Sequence, residues 1–342
     1  MKKLKSTITS PYGLKRLLMA GALGVLFNVS QNAIAAGPVG LEMSGWNLHG
    51  EGYPNTVAMQ KFADLIADGS DGRIKLKMSN NAELGSQPEA IDMLIENKLE
   101  VANLSLGPLG QIAPATNVVS LPFIFKDMGH MHRAMDGEAG DIISAELEER
   151  GIVALAWYDS GARSFYNKKW PINSPDDIEG LTIRVMGNDL YSGMISAMGG
   201  TPQKLAFPKV LGALQSGDID GAENNWPSYE GTGHYEVAGY YSLSQHLIIP
   251  ECVCVNASVY NALSAEDQAL MKAAARESAE LQRELWVERA EASREQVLAS
   301  GVKFNEVSNK RAFQAAMRPV YSRYLAVNRD LAPLVDLIRE ID

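Results

Sequence analysis

The sequence predicts an α/β protein of two lobes, with a long C-terminal helix that braces both of them. Short apolar segments with strand character alternate with helical segments, which is typical of sheets connected by helical crossovers. A length of 342 residues with 46% apolar content is enough for two hydrophobic cores. One segment after residue 264 lacks both proline and glycine to about residue 300, so it favours a single long helix.

The first 35 residues have the layout of a signal peptide. Five basic residues and no acidic one accompany an apolar run at 17–27, which at 11 residues is too short to span a bilayer. Ala33-Ile34-Ala35 supplies a small-x-small cleavage pattern, so we expect an exported, periplasmic chain that begins at Ala36. An amphipathic N-terminal helix is the alternative.

The charge of the mature chain restricts its partners. Removing the five basic residues of the leader from 31 basic and 41 acidic residues leaves 26 against 41, a net charge of −15. Such a surface repels nucleic acid and anionic membranes, so we expect neither as a partner. No later segment reaches transmembrane length, and we expect no membrane insertion after removal of the signal peptide.

The elements follow in chain order. The apolar patterns predict strands and helices in the following ranges: strands at 73–78, 101–106, 152–157, 181–185 and 252–255, and helices at 87–97 and 189–198. Ser264-Ala-Glu-Asp267 resembles a capping box and opens the long helix, which would measure about 50 Å. The lobes we predict are 36–160 plus 250–289 and 161–249 plus 290–342, with the ligand cleft between them.

A faint internal similarity relates the two predicted lobes. Residues 94–103 parallel residues 214–223, because in both a helix stops, an apolar–acidic pair starts a strand and a small residue precedes a polar one. Loops after the carboxyl ends of strands bind ligands in open α/β sheets, so we expect Asn103 and Ser105 to face the segment that begins at Glu223. Chance similarity is the alternative, since helix–strand junctions resemble one another.

Cysteine and histidine residues give no sign of a metal site. Cys252 and Cys254 lie two apart on a predicted strand, a spacing that is tight for a bridge, so we predict small core residues. His130 and His132 follow Asp127 without a carboxylate-rich loop, and we predict a surface turn. We expect no metal and no cofactor.

Arginines at strand ends point to an anion site. Arg184 ends an apolar strand, and Asn188 then caps a helix whose free N–H groups also favour an anion. Arg163 follows another apolar strand. A guanidinium fits a carboxylate through two parallel hydrogen bonds. The alternative is a surface Arg184 paired with a neighbouring Asp.

Amide and aromatic side chains are typical of sugar binding. Glu223, Asn224, Asn225, Trp226 and Tyr229 combine hydrogen-bonding groups with stackable rings, and sugars use both. The alternative is a polar turn capped by core aromatics. The first strand ends in a similar way at 46–51, where His49 is a candidate ligand contact or an exposed loop residue.

Signatures of enzymes are absent from the sequence. It contains no Gly-x-Ser-x-Gly, Gly-x-Gly-x-x-Gly or His-Glu-x-x-His. A glycosidase carboxylate pair has no positive support. We therefore expect a binding protein without catalytic residues.

Several motifs in order resemble one receptor family over nearly the whole mature length. They are Ala82-Glu-Leu-Gly85, Leu121-Pro-Phe-Ile-Phe125, Arg163-Ser-Phe-Tyr-Asn167, Gly180-Leu-Thr-Ile-Arg184, Leu205-Ala-Phe207, Ala213-Leu-Gln-Ser-Gly217 and Asp220-Gly-Ala-Glu-Asn224. The chain resembles the extracytoplasmic solute receptors of tripartite ATP-independent periplasmic (TRAP) transporters, of the DctP type. The strings Arg184 to Tyr191, Glu223 to Tyr229 and Thr232 to Glu236 look most like receptors for hexuronates.

The resemblance implies a two-lobed receptor that closes on its ligand. In this family the arginine matched by Arg184 holds the ligand carboxylate, and the positions of Arg163 and Asn224 assist it. The remaining contacts that we expect from the resemblance and the residue types are Phe207 in the cleft, Asn47 on the first strand, Asn103 and Ser105 at a ligand-dependent position, and His49, Glu89, Met186, Asn188, Asn225 and Trp226.

The function expected from these residues is that of a receptor for glucuronate, galacturonate or a similar sugar acid, which it delivers to TRAP permease subunits in the membrane. A receptor for a dicarboxylate or keto acid is one alternative. A secreted carbohydrate hydrolase and a periplasmic scaffold are alternatives of other classes.

Overall fold

Residues 40–342 of the computed structural model form two β-sheets covered by helices. The predicted signal peptide and its cleavage site lie outside these described residues. The strands, in chain order, are β1 Leu41–Trp46, β2 Ile74–Ser79, β3 Val101–Ser105, β4 Ile152–Tyr158, β5 Ala162–Asn167, β6 Thr182–Val185, β7 Thr201–Lys204, β8 Gly221–Asn224, β9 Tyr240–Ile248, β10 Glu251–Asn256 and β11 Lys303–Glu306.

Helices alternate with these strands, as the sequence predicts for an α/β protein. They are α1 Pro54–Gly69, α2 Gln87–Ile95, α3 Leu106–Leu109, α4 Ala115–Val118, α5 Met128–Met135, α6 Glu138–Glu149, α7 Asp189–Ala197, α8 Val210–Ser216, α9 Trp226–Gly231, α10 His234–Val237, α11 Ala257–Ala262, α12 Ala265–Ala299, α13 Lys310–Val327 and α14 Ala332–Glu340. Short 3-10 turns occupy Pro175–Ile178, Phe207–Lys209 and Arg329–Leu331.

The two sheets give the molecule its two lobes. The first sheet has the order β2-β1-β3-β10-β4, and the second has the order β11-β9-β5-β8-β6-β7. The strand β10 runs antiparallel to β3 and β4, so a late part of the chain returns to complete the first sheet. The chain therefore crosses between the sheets three times, after β4, after β9 and after β10. The predicted two-lobed α/β architecture is confirmed, whereas the residue limits of each lobe stay predictions.

The long helix α12 joins the two lobes. The hydroxyl of Ser264 accepts a hydrogen bond from the N–H of Asp267 and so caps its first turn. On the first lobe, Ser278 of α12 and Tyr158 of β4 are hydrogen-bonded through their hydroxyls at 2.7 Å. On the second lobe, Arg289 of α12 pairs with Glu230 of α9. The long bracing helix predicted from the sequence is present.

The hydrophobic core is continuous beneath the cleft. One cluster of buried residues contains Leu104 of the first sheet and Ile183 of the second, together with Phe313 of α13. Separate clusters lie between α1, α12 and the first sheet, and around α8 to α10 on the second sheet. No helix within residues 40–342 is both long and apolar enough to cross a membrane.

The prediction that the two cysteines are unlinked core residues is wrong in one respect. Cys252 and Cys254 are fully buried, as predicted, but they form a disulfide. The pairing of β10 with β4 shifts register between Val253 and Cys254. The two Cα atoms are 5.4 Å apart, which is within the range that a disulfide requires.

The predicted surface turn at Asp127 is instead the start of α5. The carboxylate of Asp127 caps this helix by accepting from the N–H of His130. The ring of His130 is completely buried, and both of its nitrogens have hydrogen-bond partners: the backbone N–H of Lys126 and the carbonyl of Ile338. His132 pairs with Asp159, which follows β4. These residues therefore connect structural elements.

Candidate functional site

A cavity of about 220 Å³ lies between the two sheets. Its walls include Ser105 at the end of β3 and Glu251 at the start of β10, both from the first sheet. The second sheet contributes Arg163 of β5, Arg184 of β6 and Asn224 of β8. The polar side chains that the sequence places at strand ends therefore meet in one space.

Arg184 is a buried cation that faces this cavity. It is 3% exposed, and its Nε donates to the carbonyl of Leu205 at 2.8 Å. The ring of Phe207 lies 5.9 Å from its guanidinium carbon. Within the described residues, no carboxylate forms an ion pair with it. Burial lowers the pKa of Arg184 to about 10, and the side chain remains charged at neutral pH.

Arg163 is equally buried but is neutralised by the protein. Its Nε and Nη2 bond both carboxylate oxygens of Glu223, at 2.5 and 3.0 Å. Burial is the largest single influence and lowers the pKa of Arg163, but the charge and the hydrogen bonds of Glu223, together with Tyr191 and Tyr166, outweigh it, so the net shift is upward. Nη1 donates to Oδ1 of Asn224 at 2.6 Å. The pair thereby fixes the amide of Asn224, whose nitrogen donates to no other described residue.

Neutral polar and aromatic groups complete the cavity wall. The ring of His49 stacks on Tyr53 with a centroid distance of 3.7 Å and meets the edge of Phe207 at 6.2 Å. Burial of the ring lowers the pKa of His49 to about 3, so it is neutral near pH 7. A neutral imidazole offers one donor and one acceptor, which suits sugar hydroxyls.

Seven of the predicted ligand-binding residues line the cavity: Arg184, Arg163, Asn224, Phe207, His49, Ser105 and Met186. They come from distant parts of the chain, and the arrangement of the two sheets brings them together. Their contact with a ligand stays a prediction.

Three predicted site residues lie at helix starts outside the cavity lining. The side-chain Oδ1 of Asn225 accepts from the N–H of Ser228 at the start of α9, and the side-chain Nδ2 donates to the backbone carbonyl of Ser160. Asn188 caps α7 in the same way. Glu89 is exposed and forms a capping box with Ser86 at the start of α2. These groups satisfy free N–H groups of the first helical turn.

The other three are packed into the lobes. Trp226 stacks on Tyr241 with a centroid distance of 3.8 Å. The amide nitrogen of Asn47 donates to the hydroxyl of Thr56, and its oxygen has no partner among the described residues. Asn103 accepts from the amide of Asn55. All three are set back from the cavity lining.

Several lining residues were absent from the predicted set, namely Gln87, Ser160, Lys204, Ser228 and Glu251. Gln87 begins α2, and its amide donates to the carbonyl of Ser105. Glu251 is 5% exposed, and its Oε2 accepts from Asn55 at 2.8 Å. Burial raises the pKa of Glu251 to about 7. The only sequence signal for it was an acidic residue directly before the apolar strand at 252–255.

Solved structures with the same fold contain sugar acids. A TRAP periplasmic solute-binding protein from Roseobacter denitrificans with bound β-D-glucuronate is 57% identical, with a TM-score of 0.87, covering 88% of this chain and 100% of that chain. A second such protein, from Sulfitobacter sp. NAS-14.1 with bound β-D-galacturonate, is 50% identical, with a TM-score of 0.86 and coverage of 87% and 99%.

Sequence comparisons agree with the structural ones. A solute-binding protein of Chromohalobacter salexigens is 46% identical over 332 residues, which is 95% of this chain and 98% of the relative. Residues 47–327 match the family DctP, described as bacterial extracellular solute-binding protein, family 7. The resemblance noted from the sequence motifs is confirmed. The chain belongs to the DctP family of bacterial extracellular solute-binding proteins.

Proposed function

We propose that the mature chain is a periplasmic receptor that binds glucuronate or galacturonate by the carboxylate and delivers it to a TRAP permease. The proposal rests on the environment of Arg184. This cation is 3% exposed, faces the cavity and has no acidic partner among the described residues. A buried charge is costly unless it is paired. A ligand carboxylate supplies the missing partner.

The rest of the cavity suits a polyhydroxylated ring. The free amide nitrogen of Asn224, the imidazole of His49 and the carboxyl group of Glu251 can bond hydroxyl groups. Phe207 offers an apolar face to the C–H groups of a sugar. Two solved structures at 50% and 57% identity contain hexuronates, which supports the same class of ligand here.

Both lobes contribute to ligand enclosure. The hydroxyl groups of Tyr53, which precedes α1, and Ser228, in α9, lie 3.2 Å apart and join the lobes beside the cavity. A ligand that touches both lobes favours the closed form over the open one. The leader predicted from the sequence would direct export of the chain to the periplasm, where the closed receptor would meet the permease.

The proposed receptor releases its ligand unchanged. Glycoside hydrolysis needs two carboxyl groups on either side of the scissile bond. Glu251 is the one carboxyl group among the described lining residues, and Glu223 is held by Arg163. This arrangement favours a receptor over a secreted hydrolase. A receptor for a dicarboxylate or keto acid would also use Arg184, so the ligand must be tested directly.

Titration calorimetry tests the proposal with glucuronate, galacturonate, a C4-dicarboxylate and a keto acid. We expect a hexuronate to bind tightest and to be recovered unchanged by NMR after incubation. Arg184→Lys keeps the charge but loses the planar fork, and it should weaken binding by about tenfold or more. Arg318→Lys, an exposed control on α13, should bind like the wild type. Equal affinity in both variants would refute the anchor role of Arg184.

A further inference from the structure

Among the charged groups of the cavity wall, one acid has no ionic partner among the described residues. Arg163 is paired with Glu223, and Lys204 is paired with Asp189 at 2.5 Å. Arg184 awaits the ligand carboxylate. The lining residue that remains is Glu251, an acid inside a site that must attract an anion.

Glu251 is held firmly in place. It begins β10, where it lies opposite Ser105 of β3 and Tyr158 of β4. Its Oε2 accepts from the amide of Asn55, and the oxygen of that amide accepts in turn from Gln282 of α12 at 2.8 Å. A side chain fixed in this way cannot turn away from an unfavourable ligand.

The position of Glu251 separates two ends of the ligand site. Arg184 belongs to the second sheet and Glu251 to the first, and both line the same cavity, so a ligand that is held by Arg184 and fills the cavity can reach Glu251. A hydroxyl group at that end donates to a carboxylate. A second ligand carboxylate cannot donate, and two ionised carboxylates at one site repel each other.

We propose that Glu251 is a specificity-determining residue. Its carboxylate accepts a hydrogen bond from a hydroxyl group of the sugar monoacid and excludes the corresponding diacid. This inference rests on the proposed function, because it assumes that Arg184 holds the first carboxylate. According to this inference, the receptor binds aldonic and uronic acids and excludes aldaric acids, which carry a carboxylate at both ends.

The groups around Glu251 do not change their charge near neutral pH, so the charge of Glu251 itself controls whether a diacid is excluded. Asn55 of α1, Asn103 of β3, Ser160 and Tyr53 are uncharged near neutral pH, and Arg163 of β5 is neutralised by Glu223. His49 is also uncharged, because burial lowers its pKa to about 3. Burial raises the pKa of Glu251 to about 7, so exclusion of a diacid should strengthen as the pH rises through that value.

Three acids that differ at one carbon provide the test. Glucuronate, L-gulonate and glucarate share their other carbons, and they carry at that carbon an aldehyde or ring hemiacetal, a hydroxymethyl group and a carboxylate. Calorimetry at about pH 8 should show glucarate binding at least about a hundredfold more weakly than glucuronate in the wild type. Glu251→Gln should narrow that ratio by about tenfold or more. The gulonate-to-glucuronate ratio should change less.

Two controls keep the outcomes distinct. Glu83→Gln removes an exposed acid and changes the net charge by the same amount as Glu251→Gln. It should leave the ratio of glucarate affinity to glucuronate affinity unchanged. The wild type measured at about pH 6 should discriminate less than at about pH 8, without any substitution.

An unchanged ratio in Glu251→Gln, or the same wild-type ratio at both pH values, would overturn the assignment of Glu251. If Glu251→Gln still excludes glucarate, the assignment is also overturned, even where gulonate fails to bind as well. A wild type that binds no hexuronate would instead refute the proposed function itself.

Discussion

Arg163 and Arg184 are two buried arginines of the same sheet with opposite surroundings. They lie on β5 and β6, which are separated by β8. Arg163 bonds both oxygens of Glu223, the backbone carbonyl of Glu223 and Asn224. Arg184 bonds one backbone carbonyl, that of Leu205. Burial is almost equal, at 5% and 3% exposure, so the partners make the difference.

This difference separates structural charges from binding charges. A buried cation with an internal partner is part of the folded lobe, and removing either member leaves an uncompensated charge. A buried cation without such a partner reduces the stability of the empty protein and is stabilised when an anion arrives. Functional sites often retain such groups at a cost in stability. The pattern of partners, rather than residue type or burial, identifies Arg184 as the anchor.

The largest expected effect follows from Arg184→Met. This change removes two charge-assisted hydrogen bonds to the ligand, so hexuronate affinity should fall about a thousandfold, or ~4 kcal/mol. The empty protein should be at least as stable as the wild type, because an unpaired buried charge disappears. Calorimetry and urea unfolding measure the two effects. A variant that loses stability together with affinity would place Arg184 among the structural charges.

Glu223→Gln should show the reverse pattern. The carboxylate that neutralises Arg163 is lost, and a buried cation remains, so the free energy of unfolding should fall by about 3 kcal/mol. Urea unfolding of the ligand-free protein measures this change. The control is Asp189→Asn, since Asp189 is 97% exposed and pairs with Lys204 at the surface, where ion pairs contribute little. Equal effects in both variants would contradict the comparison.

Local patterns predicted most of the fold. The helix predicted at 87–97 is Gln87–Ile95, and the strand predicted at 252–255 is Glu251–Asn256. Apolar spacing and capping residues determine such elements over a few residues. The pairing of Cys252 with Cys254 was missed because it depends on a local register shift in β10, which the sequence does not show.

The cavity was only partly predictable, for a related reason. Arg184 stands out because a strand-end arginine needs a partner, and the DctP resemblance points to the same residue. Asn224 and Asn225 are adjacent and chemically identical, yet Asn225 caps α9 and Asn224 lines the cavity. Glu251 approaches Asn55 across a separation of 196 residues. Which polar side chain is already satisfied depends on such tertiary contacts.

Glu251 extends the comparison of the two arginines to a buried acid, which, unlike them, can lose its charge near neutral pH. Burial raises its pKa from 4.5 in a model peptide to about 7 in the folded protein. The folded state therefore holds this proton more tightly, and the contribution of Glu251 to stability should decrease as pH rises from about 4.5 to about 7. The full decrease is ~3 kcal/mol.

The difference between wild type and Glu251→Gln isolates this contribution from that of other groups. Burial lowers the pKa of His49 to about 3, which acts in the opposite direction, but His49 is present in both proteins. Urea unfolding across this pH range should show the two curves converging at low pH. Parallel curves would mean that folding does not raise the pKa of Glu251.

The smallest effect concerns the adjacent amides of Asn224 and Asn225. Like the two arginines, they differ in their partners within the protein. Asn225 has partners in Ser228 and Ser160, whereas the amide nitrogen of Asn224 has none among the described residues. Asn225→Ala should lower the free energy of unfolding by about 1–2 kcal/mol through loss of the cap, and it should change hexuronate affinity little. Asn224→Ala should mainly reduce affinity. If Asn225→Ala instead abolished binding in a protein of wild-type stability, the partners seen in the structure would not distinguish ligand contacts from structural ones.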